Sequence, residues 1–151
     1  MTDLSHQEKT LWGALVAVLV IGGGYFARTV NMITFDAIDP GECAGLSIGA
    51  VLLLIFVQIA YQIVLTLHSR RDPPDERDRL IAALAGRNAY HVLMVGAWLA
   101  IGHIVAGGLF RDVTHNAWLT QFATGQLVAL AAVSAELAKY GSQLAYYRWG
   151  H

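Results

Sequence analysis

Charged side chains vanish from four long stretches of the chain. No Asp, Glu, Lys or Arg lies between Lys9 and Arg28, from Cys43 to Ser69, from Asn88 to Phe110, or from Val113 to Ala135. None of the four keeps a charged face of the kind a helix shows when one side meets water. About 20 helical residues cross a hydrocarbon core, and each stretch meets or nearly meets that length. The pattern predicts four transmembrane helices over about 11–27, 44–67, 89–110 and 117–137, packed as an all-α four-helix bundle in one domain over residues 1–151.

The polar segment 68–88 has a pattern of its own. In Asp72-Pro73-Pro74-Asp75-Glu76-Arg77-Asp78-Arg79, Asp72 can cap a helix whose first turn accepts proline, because an N–H there has no helical partner. Asp75, Glu76 and Asp78 would then sit at the positive end of the helix dipole. Leu80, Ile81 and Leu84 fall on one face. The segment predicts a short cytoplasmic helix that runs on, bent at Gly86, into span three. Beyond span four, Tyr140 to Trp149 keep helical character. Small residues recur one turn apart in Gly45/Gly49, Gly96/Ala100, Gly102/Ala106 and Gly125/Ala129, and Gly22, Gly23 and Gly24 stand in a row. In lipid such positions let helices approach closely, within one bundle or in a homodimer.

Composition supports the membrane class. Apolar residues make up 56% of the chain and charged residues 14%, against about 25% charged in soluble domains. The basic residues then set an orientation. Lys9, Arg70, Arg71, Arg77, Arg79, Arg87, Lys139 and Arg148 fall on one side of the spans, and only Arg28 and Arg111 on the other. Basic residues gather in the cytoplasm, so loop 68–88 and both termini are expected inside. Loop one, with Asp36, Asp39 and Glu42, is acidic and fits the outer side. Trp12, Tyr90, Tyr146, Tyr147 and Trp149 would mark the inner interface, and Tyr25, Phe26, Phe110 and Trp118 the outer. Trp98, near the middle of span three, reads as a packing or lipid-facing residue. The segment Met1 to Thr10 lacks a signal-peptide pattern, so span one is expected to serve as its own membrane signal. A net charge of −1 offers no broad basic surface and argues against nucleic acid as a partner. Cys43, the only cysteine, excludes an intrachain disulfide.

The run Asp75-Glu76-Arg77-Asp78-x-x-Ile81, set between helices two and three, resembles an uncharacterised family of small prokaryotic four-helix membrane proteins with a cytoplasmic "DER" loop. The resemblance implies the same topology in a prokaryotic cytoplasmic (inner) membrane. Members occur beside small transcription regulators, which implies a soluble cytoplasmic protein as partner. The family has no agreed activity and supplies no catalytic residues.

Candidate chemistry is sparse. Ionisable groups deep in a bilayer are costly and mark function, yet no charged residue lies near the middle of any span. Small multidrug exporters depend on a membrane-embedded glutamate, and span one has none. His103 is the one titratable side chain well inside a span, where it would serve as a haem ligand, a proton relay or a hydrogen-bonded core residue. Gln58 and Gln62 on span two and Gln126 on span four, with Thr124 and Ser134, could line a polar pocket for a quinone, a lipid headgroup or a small solute; interhelical hydrogen bonding is the plainer use. His68 and His91 end span two and begin span three and would make half a zinc site, with Asp72 or Glu136 added. Glu136 and Lys139 could close a charge network with Arg87 or with Asp75, Glu76, Arg77, Asp78 and Arg79, the residues expected to meet a partner. No G-x-S-x-G, H-E-x-x-H, phosphate loop or C-x-x-C occurs. The expectation is therefore a non-enzymatic membrane module acting through its cytoplasmic loop on a soluble protein or another membrane subunit. The alternatives are a bundle binding quinone, haem or lipid, and a small transporter or channel.

Overall fold

A computed structural model describes residues 6–34, 39–68, 75–109 and 117–149. They form four helices and no strand: α1 (His6–Thr34), α2 (Pro40–His68), α3 (Glu76–Leu109) and α4 (Ala117–Trp149). Each is longer than its charge-free stretch, and α3 and α4, of 34 and 33 residues, are the longest. At 1.5 Å per residue they reach about 50 Å, well past a hydrocarbon core of about 30 Å. Three helices are long and apolar enough to cross a membrane: α1 over Thr10–Met32, α2 over Ala44–Tyr61 and α3 over Glu76–Gly107. The fourth has the length but carries more polar residues, among them Gln121, Thr124, Gln126, Ser134 and Glu136.

The helix starts follow from local chemistry. Asp39 caps α2, its Oδ2 accepting the Glu42 N–H at 2.9 Å, with Pro40 in the first position where its missing N–H costs nothing. The acidic residues expected in the outer loop thus include this cap. At α3 the cap is Asp75. Its Oδ1 accepts the Asp78 N–H at 2.7 Å, while Asp78 Oδ2 accepts the Asp75 N–H at 3.2 Å. This is a capping box with aspartate in the third helical position. Asp72 lies outside the described residues, and α3 runs as one helix through Gly86.

The helices alternate in direction. Gly13 lies against Tyr61, and Tyr25 meets Ser47, so α1 and α2 are antiparallel. Gly22 against Val133 and Tyr25 against Gln126 make α1 and α4 antiparallel. Pairs Asp78–Tyr147, Asn88–Ser142, Gly96–Ala131 and His103–Thr124 do the same for α3 and α4. The start of α1, the end of α2, the start of α3 and the end of α4 therefore share one end of the molecule.

Packing runs in the order α2–α1–α4–α3. Among the described residues α2 packs only on α1 and α3 only on α4, so the bundle is an open succession rather than a closed four-helix ring. The α3–α4 seam is the most extensive. Along α3 its positions are Asp78, Ile81, Ala85, Asn88, Gly96, Ala100 and His103, at the three- and four-residue steps of one helical face. Ile81, Ala85 and Ala100 are buried against a partner face that includes Ala131, Ala135 and Leu144. On α1 the buried stripe is Leu11, Ala14, Val18, Thr29 and Met32, with Gly22 between. The interior is thus built mainly of small residues, and large apolar ones point outward. Phe56 and Trp98 are 71% and 65% exposed, which leaves Trp98 on the outer surface of α3. Within the Ala44–Tyr61 window of α2 none of the described residues is buried.

Candidate functional site

Two places bring polar side chains from different helices together. The first is the end of the molecule where α3 begins and α4 finishes. Tyr147 donates its hydroxyl to Asp78 Oδ1 at 2.8 Å, so the aspartate that completes the α3 capping box also ties α3 to α4. One residue on, Arg148 turns the other way and lies over the Trp12 ring of α1 at 5.5 Å, a cation–π contact. About three turns along α3 from Asp78, Asn88 donates to Ser142 at 3.1 Å and to Tyr146 at 3.2 Å. Burial, with help from the Asp78 hydrogen bond and charge, raises the pKa of the Tyr147 hydroxyl. The neutral, donating form is thereby held in place.

Beside this seam is a groove of ≈ 410 Å³. Leu80, Ile81 and Leu84 form one wall, Ala145, Tyr146 and Trp149 the other, and Arg77 stands at the rim. Of the expected partner-binding residues, Asp75 and Asp78 are used up by capping, while Glu76, Arg77, Arg79 and Arg87 are exposed on α3. Glu136 pairs with Lys139 on its own helix at 3.7 Å. Glu136 stands eleven residues before Tyr147, about 16 Å along the axis, so it does not join the Asp75–Arg79 group. Among the described residues it makes no ion pair with Arg87. Lys139 instead lies over the Tyr140 ring at 5.3 Å. The Tyr140 hydroxyl is pushed up to about 12, by burial first and then by the charge and hydrogen bond of Glu136.

The second place is near the opposite end. Tyr25 of α1 donates to Gln126 Oε1 of α4 at 2.8 Å and meets Ser47 Oγ of α2 at 3.0 Å. With its proton given to Gln126, Tyr25 accepts from Ser47. One tyrosine therefore links three helices. These three side chains line a cleft of ≈ 510 Å³ between α2 and α4, floored by α1. Gln126 is expected from the sequence in a polar pocket with Gln58 and Gln62; its partner is Tyr25, which in turn meets Ser47. The side chains of Gln58 and Gln62 lie outside the described set. His103 is on the far seam, its Nδ1 3.0 Å from Thr124 Oγ1.

The histidines expected to share a metal are not on neighbouring helices. His68 is on α2, with its side chain outside the described set, and His91 is exposed on α3 beside Tyr90, ring centroids 5.9 Å apart. With α1 and α4 between them, α2 and α3 are separated in the packing order. Among the described residues no group of three His, Cys, Asp or Glu could hold a metal.

No family model matches the chain, and neither a curated protein nor a solved structure is similar to it.

Sequence reasoning missed Tyr25 and Ser47 as partners. By its sequence position Tyr25 reads as an interfacial aromatic, and a serine in an apolar helix announces nothing. The one signal was position: counted from the end of α1 and the starts of α2 and α4, Tyr25, Ser47 and Gln126 fall at similar levels.

Proposed function

We propose that the chain is a multi-pass protein of a prokaryotic cytoplasmic membrane, with four spans and both termini inside. We propose further that it works without chemistry of its own, as an interaction or regulatory module for a soluble cytoplasmic protein or a second membrane subunit. The membrane placement is supported by three helices of sufficient length and apolarity and by large side chains directed outward from a small-residue interior. The fourth helix is read as a span because two of the polar side chains along its apolar stretch meet partners on neighbouring helices, Thr124 with His103 and Gln126 with Tyr25. Orientation rests on charge. Of the described basic residues, Arg77, Arg79, Arg87, Lys139 and Arg148 belong to the end shared by the start of α3 and the end of α4, the side that lies inside by the usual bias.

The observation that carries the module reading is the seam between α3 and α4 past the charge-free stretches. From Asn88 back to Asp75 and from Lys139 on to Trp149 the two helices stay paired through Asp78–Tyr147, Asn88–Ser142, Ile81 and Leu144. A segment needed only to join two spans could be a short loop. A braced two-helix projection with an apolar groove and a basic rim is a surface suited to an amphipathic helix bearing acidic residues.

Site-specific photo-crosslinking in cells tests this. A photoreactive residue at Leu80 or at Trp149 should give a discrete protein adduct, lost when Arg77→Glu or Leu84→Glu is added. The same probe at outward-facing Trp98 should give none of that adduct. Absence of any protein adduct from both groove positions would sink the module reading.

A further inference from the structure

The geometry points to the cleft between α2 and α4 as a binding site for an uncharged amphiphile with a carbonyl head and an apolar body. This inference rests on the membrane placement proposed above and is independent of partner docking. At ≈ 510 Å³ the cleft lies within the range of about 300–1,000 Å³ typical of small-molecule sites. Its space exists because the positions around it are small: Gly22, Ala50, Gly125 and Ala129 all line it. A Cβ placed on Gly125 would meet nothing within 4 Å.

The polar groups choose the head. Tyr25 donates to Gln126 Oε1 and, with its proton so directed, receives the Ser47 hydroxyl. That fixes the Gln126 amide with its oxygen toward Tyr25. Its nitrogen, which carries two N–H donors, has no acceptor among the described residues and is not sealed from the surroundings. A donor pair in an apolar site calls for an acceptor, because an unmet donor there loses the full value of its solvation. Among the described residues no Asp, Glu, Lys or Arg lines the cleft, so a phosphate or a carboxylate would enter without a counter-charge from them, and a neutral carbonyl would not need one.

Depth chooses the body. The polar trio sits toward the end of the molecule opposite the basic one, and the apolar walls continue through Val51 and Leu54 on α2 and Ala132 on α4. A molecule seated there keeps its head near the outer interface and its tail toward the bilayer centre. An isoprenoid quinone and a diacylglycerol share this chemistry.

The test uses the full chain in nanodiscs of defined phosphatidylcholine, titrated with a short-chain ubiquinone or with dioctanoylglycerol and followed by native mass spectrometry. Saturable binding of one molecule per chain is expected for at least one probe; which of them saturates identifies the source. Gln126→Leu should weaken it at least tenfold, and Gly125→Leu, which fills the cleft, should abolish it. His103→Leu should leave it unchanged. Should Gly125→Leu fail to fold, Tyr25→Phe, expected to release the amide and weaken binding severalfold, replaces it. Non-saturable uptake of both probes, or undiminished binding in Gln126→Leu, overturns the site. Failure of the membrane reading looks different: the chain would then stay soluble and monodisperse without detergent or nanodisc.

Discussion

Single positions decide how closely these helices approach, and glycines at different places act in opposite senses. A Cβ on Gly96 would collide with Ala131 Cβ and come to 3.0 Å from Ala131 Cα on the backbone of α4. Backbone cannot step aside as a flexible side chain can. Gly102, on the same helix, has nothing within 4 Å of that position. Gly96→Ala should therefore destabilise the α3–α4 seam, by about 1–3 kcal/mol as overpacking does. Gly102→Ala should gain up to about 1 kcal/mol from helix propensity alone. Thermal unfolding of the detergent-solubilised variants checks both, and a lower midpoint for Gly102→Ala than for Gly96→Ala would contradict the packing. Gly45 and Gly49, the pair most suggestive by spacing, meet no described neighbour within 4 Å, so the motif makes no close contact within the chain.

At the scale of elements, α3 and α4 behave as one antiparallel unit fastened at its exposed end by Asp78 and Tyr147. The pKa of Tyr147 is raised by burial and by Asp78, and that of Tyr140 to about 12 by burial and Glu136. For both, the folded value lies above the unfolded one, near 10. The sign follows from linkage: the stability these hydroxyls contribute is complete below about pH 10 and is lost as pH climbs through the folded values. The unfolding midpoint should fall between about pH 10 and 12, and Tyr147→Phe should make that fall shallower while lowering the midpoint at neutral pH. Thermal scans across pH, read with tyrosinate absorbance, measure this. An unchanged alkaline slope in Tyr147→Phe would show that the hydroxyl does not fasten the pair.

Over the whole molecule, the alternation of helices places the residue-75 and residue-149 ends together and residue 39 at the far end. If the chain spans the membrane as proposed, these ends face opposite compartments. With Cys43 replaced by Ser, cysteines introduced at Leu80 or Trp149 should resist an impermeant maleimide in intact cells and react in inverted vesicles. A cysteine at Asp39 should do the reverse. Labelling of all three from one side would refute the four-span topology. The open order α2–α1–α4–α3 has a consequence at this scale too: α2 is held by one neighbour, so the cleft beside it can admit a molecule sideways from the bilayer.

Four helices, their approximate centres and the uneven spread of charge were legible in the chain alone, because the cost of a charge in lipid is a local property that shows residue by residue. The continuation of α3 from its polar start was legible as well, since Asp75 to Asp78 and the Leu80–Leu84 face carry local capping and periodic signals. The reciprocal Asp75–Asp78 bonds make Asp75 the cap of the described helix, while Asp72, the cap expected from the sequence, lies outside the described residues. Which helices touch was not legible. Neighbour choice in an all-apolar set depends on how each helix is rotated, and interhelical polar contacts in membranes contribute on average only about 0.6 kcal/mol each. Tertiary structure alone therefore decided that Tyr25 answers both Gln126 and Ser47, that His103 answers Thr124, and that the helices bearing His68 and His91 stay apart.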